Sequence, residues 1–322
     1  NIFNPNIFRF IPKNSFLKSR FSYTIFFILS FFKLKNILKD NEGAILIIHL
    51  LTSLPLIVVT VFNIDIDIIL RISGRVKYNS FRKFIWKKCK HKIKFVTCPS
   101  NATKAEIIKL NLFKKDIIVT LYDPIIETKK ILELKREKIK EKKILNKKYF
   151  LGIGRLTRQK NFIQLIKGFG KINKFYPEYI LVILGSGEEE AKLNRIIKNN
   201  NLQDKVFLLG FKRNVYKYLE NCECFISCSR YEDPGASIVQ AISCNKFVIS
   251  SNCENGPAEI LLEGKGGILF DLYNQTLEET IKRYFEMSKV EKKKNIINAK
   301  KNILKFSVFR HHNSLINLFE KI

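Results

Sequence analysis

Residues 149–184 read YFLGIGRLTRQKNFIQLIKGFGKINKFYPEYILVIL. A short apolar run (149–153) enters a glycine- and arginine-bearing turn, a helical pattern follows near 160–175, and a second apolar run closes the unit at 179–184. Apolar runs of this length suit strands buried on both faces, and the helical stretch is long enough to return the chain for parallel pairing. The stretch predicts a βαβ unit. The alternation continues outward, with apolar runs at 205–209, 223–228, 246–250 and 267–270 and helical patterns near 188–199, 213–221 and 235–243. A doubly wound α/β domain is the expected result.

Upstream, apolar runs near 44–50, 67–71, 93–97 and 117–121 predict a second α/β domain. Residues 1–42 show no glycine-rich loop after a first strand, and the chain opens on Asn1, so this domain reads as lacking its start. The expected division is a first domain over 1–126, a charged helical linker over 127–148, a second domain over 149–290 and a C-terminal helical segment over 291–322. The helical pattern of 277–322 breaks near Ser288. A chain of 322 residues is long enough for two cores.

The net charge of +29 admits nucleic acid, an anionic membrane surface or phosphorylated substrates as partners. Lys and Asn are abundant throughout, which dilutes that signal. Residues 1–126 nevertheless carry 21 Lys/Arg against 7 Asp/Glu. No recognised nucleic-acid module with interleaved basic and aromatic residues is present, so no specific nucleic-acid partner is expected. Seven irregularly spaced cysteines fit reduced thiols in a cytoplasmic protein. Cys222, Cys224 and Cys228 admit a zinc reading, but alternation along a strand makes buried thiols the plainer one. Residues 43–64 carry no charged side chain and are long enough to span a bilayer; Pro55 and polar His49, Thr52 and Ser53 fit equally well a strand, a buried helix and a further strand.

Ligands of doubly wound sheets sit outside the carboxyl ends of the strands, where loops and helix N-termini expose N–H groups. Three clusters fall there. In GIGRLTRQKN (152–161), Gly152 and Gly154 allow close backbone approach, and Arg155 and Lys160 offer two cations to a diphosphate. In SRYEDPGASIVQAISC (229–244), Glu232 ends a strand-to-helix loop, Gly235, Ala236 and Ser237 offer N–H groups at a helix start, and Gln240 lies further along. In SSNCENGPAEIL (251–262), Glu259 reads as a first-turn acid with a structural role, bordering the same pocket.

Together these residues resemble the nucleotide-sugar domain of the retaining GT-B glycosyltransferases of family 4. The family's G-R-L-x-x-x-K-N run matches Gly154 to Asn161, its E-x7-E segment matches Glu232 to Gln240, and its Gly-rich Pro-Glu loop matches Gly256-Pro257-Ala258-Glu259, followed by Gly264 and Gly267. The resemblance spans roughly 149–290 and departs from the family at Gln240, where the pattern has a second acid. It implies two Rossmann-like domains facing a cleft, the first binding the acceptor and the second a nucleotide-diphosphate sugar. It also implies that Arg155 and Lys160 bind the diphosphate, Glu232 faces the transferred sugar, the amides of Gly235 to Ser237 hold sugar and phosphate, and position 240 meets the ribose. No metal or other cofactor is expected; Asp65-Ile-Asp67 is an Asp-x-Asp pair by letter only, ahead of a strand in the other half. An amide accepts from one ribose hydroxyl where a carboxylate accepts from both, so Gln240 is expected to weaken donor binding by about 1 kcal/mol. In the first domain, His49 and the run Arg71, Ser73, Arg75 are the candidate acceptor contacts. The expected reaction is glycosyl transfer with retention to a glycan or lipid-linked acceptor. The basic first half and the aromatic start (Phe21 to Phe32) suit peripheral attachment to the inner, anionic face of the cell membrane. The alternatives are a catalytically impaired relative and a basic nucleic-acid-binding protein.

Overall fold

The computed structural model describes residues 30–49, 53–72 and 79–322. They form two compact units, one from the chain up to Thr97 with Leu110–Val119, the other from Cys98–Lys109 with Thr120–Lys321. The first holds a sheet in the order β1 (Ile45–His49), β2 (Asp67–Arg71), β3 (Ile93–Cys98), β4 (Ile118–Thr120), with β1–β2 and β2–β3 parallel. The uncharged stretch 43–64 thus supplies β1 and the helix Ser53–Val61. Among the described residues no helix is long and apolar enough to cross a membrane. Ser73, Arg75 and most of the aromatic run from Phe21 lie outside the described residues.

The second unit carries six parallel strands, β5 (Lys148–Ile153), β6 (Tyr179–Leu184), β7 (Val206–Leu208), β8 (Cys224–Ser227), β9 (Phe247–Ser251) and β10 (Ile268–Phe270), in the order β10-β9-β8-β5-β6-β7. The central strands are buried on both faces, as their unbroken apolar runs require; all six residues of β6 are buried. One face packs the helices Phe162–Ile172, Glu190–Asn199 and Leu277–Glu286, through Leu165, Phe169, Leu193 and Ile281. The other packs Tyr216–Asn221, Ala236–Ser243 and Lys289–Ile303, through Tyr218, Leu219, Ile238, Val239 and Ile303. The order places the topological switch between β5 and β8. From β5 the chain winds one way through β6 and β7, then returns and winds the other way through β9 and β10.

Two segments depart from expectation. Residues 127–148 are helical only over Thr128–Lys135, and although most of their side chains are exposed the segment is anchored at two points. Ile131 and Ile144 are buried in the second core, and Glu141 takes the Lys212 ammonium at 2.6 Å and the Tyr218 hydroxyl at 2.6 Å. Charge density masked the two isoleucines that anchor the segment. The helix Asn101–Lys109, which precedes β4 in the chain, belongs to the second unit. At the C-terminal end, the break near Ser288 is a capping box: the Ser288 hydroxyl accepts from the Glu291 N–H while the Glu291 carboxylate accepts from the Ser288 N–H.

Candidate functional site

The loops leaving β5 and β8 flank the switch point, and they hold the first two clusters read from the sequence. After β5 the chain turns at Gly154 and enters the helix Phe162–Ile172 through Asn161, which sits in the left-handed region at φ 52°. Gly154 itself is open to ligand approach only in part: a Cβ there would press on the Lys160 side chain, so the missing side chain lets Lys160 fold over the turn. Gly152 has a different task from the one expected. A Cβ at this position would meet Leu165 and Phe162, so its small size serves strand-to-helix packing and not ligand approach.

Two glycines that the sequence reading left unused shape this loop. A Cβ at Gly185 would fall on the carbonyl of Gly154, and one at Gly187 would strike the backbone of Leu156. Their absence of side chains lets the Leu156 N–H donate to Ser186 O and the Glu189 N–H to Leu156 O, both at 2.9 Å. The signal was a Gly-x-Gly at a strand end, identical in kind to the one that was used.

Across the switch, Glu232 is buried, with 4% of its surface exposed. Its Oε1 accepts from Lys160 Nζ at 2.5 Å and from the Ser229 hydroxyl at 2.6 Å, and its N–H donates to Glu254 O. A carboxylate in so dry a place requires a cation and further donors, and both are supplied. Further bonds stitch the same loops. The Arg230 N–H donates to Gln159 O, Gln159 Nε2 donates to Tyr231 O, and the Ser251 hydroxyl donates to Ser229 O. Arg155 stays on the exposed side, its guanidinium 3.5 Å from Gln159 Oε1. Lys160 and Glu232, 72 residues apart in the chain, are thus brought together.

The Glu232 loop ends at Gly235, whose φ of 106° makes it the N-cap of the helix Ala236–Ser243 without a side-chain cap. The N–H groups of Ala236 and Ser237 have no acceptor within the helix by position, so they face the loop as donors. Gln240 is half-buried, and its amide offsets part of the rise that burial brings to the Tyr216 hydroxyl. The β9 loop closes against this one at Gly256, where a Cβ would fall on the carbonyl of Pro234.

Glu259 does more than cap its short helix. Its carboxylate accepts from the N–H and the side-chain amide of Asn101, from the Tyr122 hydroxyl at 2.6 Å and from Lys305. Nearby, the Thr103 hydroxyl donates to Asp233 at 3.0 Å and Asn255 donates to Glu106 at 3.0 Å. The helix Asn101–Lys109 therefore braces both the Glu232 loop and the β9 loop. Nothing in local sequence links these residues, 130 and more positions apart.

In the first unit, His49 and Arg71 end adjacent strands and pair in register, His49 exposed and Arg71 half-buried. Asp67 starts β2 and pairs with Lys94 at 3.3 Å. Burial pushes the Cys222 thiol up to about 12 and raises those of Cys224 and Cys228, which holds all three as protonated core thiols.

The family model described as glycosyl transferases group 1 matches residues 135–303, more than half the chain. An uncharacterized glycosyltransferase of Methanocaldococcus jannaschii is 43% identical over 112 residues, covering 35% of this chain and 28% of that protein. The N-acetylgalactosamine-N,N'-diacetylbacillosaminyl-diphospho-undecaprenol 4-alpha-N-acetylgalactosaminyltransferase of Campylobacter jejuni is 32% identical over 149 residues, 46% of this chain and 40% of that one. The matched segments thus span less than half of these relatives. Among solved structures, Anabaena HepE in complex with UDP superposes with a TM-score of 0.74 at 17% identity, covering 90% of this chain and 82% of HepE. The fold is the expected one, GT-B with two Rossmann-like domains.

Proposed function

Because the chain belongs to the group 1 glycosyl transferases, we propose that it moves a sugar from a nucleotide-diphosphate donor to a glycan or lipid-linked acceptor in cell-surface polymer synthesis. The observation that carries this reading is the joining of Lys160 to buried Glu232 across the switch between β5 and β8. A dry carboxylate beside a cation and two free helix N–H groups suits a sugar phosphate: the carboxylate faces the sugar, the cation and amides face the anion.

In this proposal the bond from the anomeric carbon to the diphosphate oxygen breaks, and the electron pair leaves with the nucleotide. Arg155 and Lys160 neutralise the charge that gathers there, which is the role a metal ion fills in other transferases. Glu232 and the amides of Gly235, Ala236 and Ser237 orient the sugar, and Gln240 meets the ribose. The acceptor hydroxyl bonds to the anomeric carbon on the face the nucleotide leaves and gives its proton to the departing diphosphate oxygen, so configuration is retained. His49 and Arg71 are the acceptor contacts of the first unit. The C. jejuni relative's name places its own acceptor on diphospho-undecaprenol, and the excess of Lys and Arg in residues 1–126 supports a cytoplasmic chain held at the inner membrane face.

A thermal-shift screen of nucleotide-diphosphate sugars identifies the donor. NMR of the first-formed product then reads its anomeric configuration, with and without a chelator. Inversion would overturn the retaining mechanism, and a rate abolished by the chelator would overturn the metal-independent one. No shift with any donor would refute the site.

A further inference from the structure

The helix Ser80–Cys89 of the first unit, SFRKFIWKKC, holds no acidic residue. Ile85, Trp86 and Cys89 form its buried side, and the Cys89 thiol meets the Thr60 hydroxyl of the helix Ser53–Val61 at 2.7 Å. Helical spacing sets Phe81, Phe84 and Lys88 together along one flank of that buried side, with Lys83 and Lys87 further round the helix, and all five are exposed. Phe81 is 59% and Phe84 58% exposed, with Lys88 Nζ 5.9 Å from the Phe84 ring centre. The neighbouring helix carries no charge and ends at Val61, 63% exposed. Of the basic residues that follow, Lys92 donates to Ile64 O and Lys94 pairs with Asp67.

We propose that this outer face docks the chain on an anionic lipid bilayer, with Phe81 and Phe84 entering the interface and Lys83, Lys87 and Lys88 meeting lipid phosphates. Two phenyl rings side by side in water are unfavourable, and the long basic side chains beside them suit an interface where apolar and anionic groups lie within one side-chain length. An acid-free face has its charge complement in anionic headgroups. The inference rests on the peripheral-membrane reading above and assigns it to one helix.

Any chain of this charge will adhere to anionic vesicles at low salt, so the decisive variant preserves charge: Phe81→Ser with Phe84→Ser. The full chain is floated with vesicles of phosphatidylglycerol in phosphatidylcholine, and with phosphatidylcholine alone, at near-physiological salt. The expected result is binding to the anionic vesicles only, weakened at least about tenfold in the double variant, as loss of two partly inserted rings requires. Trp86, the single tryptophan of the chain, lies on the buried side of this helix, so unchanged emission shows that the variant is folded. If parent and variant bind anionic vesicles equally, the helix assignment is overturned while the peripheral reading stands. If the parent ignores anionic vesicles, or binds neutral ones as well, the inference falls; in the first case the peripheral reading falls with it.

Discussion

Glu232→Gln is the most informative perturbation, because it removes a charge while keeping shape. Gln still reaches Ser229, but Lys160, with 15% of its side chain exposed, loses the anionic partner that it has among the described residues, within a dry pocket. Breaking a buried pair by removing one partner costs about 3–5 kcal/mol, and the partial exposure of Lys160 places this case near the lower end. At roughly 2–4 °C per kcal/mol for a unit of this size, Tm falls by about 6–12 °C. Nucleotide binding should move in the opposite sense. In the parent a diphosphate competes with Glu232 for Lys160, whereas in the variant the lysine waits for an anion, so the thermal shift on adding UDP becomes larger. Lys160→Met is the control, losing stability and most of the UDP shift together. The assay is differential scanning fluorimetry with and without UDP, beside transfer activity, which Glu232→Gln should abolish. An unchanged Tm together with an unchanged UDP shift in Glu232→Gln would refute the coupling argued from the pair.

Gly256→Ala forces a Cβ onto the carbonyl of Pro234, so the Glu232 and β9 loops must part; a loss of more than about 2 kcal/mol in chemical denaturation is expected, with weaker UDP binding. With position 240 at the ribose as proposed, Gln240→Glu offers an acceptor to both hydroxyls, and calorimetry should show UDP binding tightened about fivefold, the equivalent of one net hydrogen bond. Burial alone would raise the Glu141 carboxyl, but Lys212 and the Tyr218 hydroxyl overcome it and hold it at about 2. A carboxyl depressed on folding stabilises the protein above its ordinary titration range and loses that contribution as pH falls toward 2, on the order of 2 kcal/mol in all. Glu141→Gln should flatten the parent's loss of stability across that window, and a parallel pair of pH–stability curves would contradict the assignment.

The elements were legible because their signals are local. The run at 179–184 is apolar at every position, so only burial on both faces satisfies it, and β6 lies inside the sheet between β5 and β7 as that demands. Gly154, Lys160 and Glu232 were legible as loop residues because small, basic and acidic residues at strand ends have few other uses. Gly152 was misread for the same reason that Gly185 and Gly187 were passed over: a glycine's task depends on what approaches it, and that is Leu165 in one case and the Gly154 carbonyl in another. The anchoring of the segment 127–148 was not legible because its charges outnumber the two isoleucines that hold it down.

By itself the sequence determined the parallel α/β class, the position of nearly every strand, and the small, basic and acidic residues that the strand-end loops carry, since periodicity and side-chain chemistry are written locally. The strand order, the pairing of Lys160 with Glu232, and the bracing of that loop through Thr103, Asn101 and Glu259 were decided only by the tertiary structure. They depend on which distant groups must share one water-poor space, where each charge and hydroxyl needs a partner that local pattern does not name.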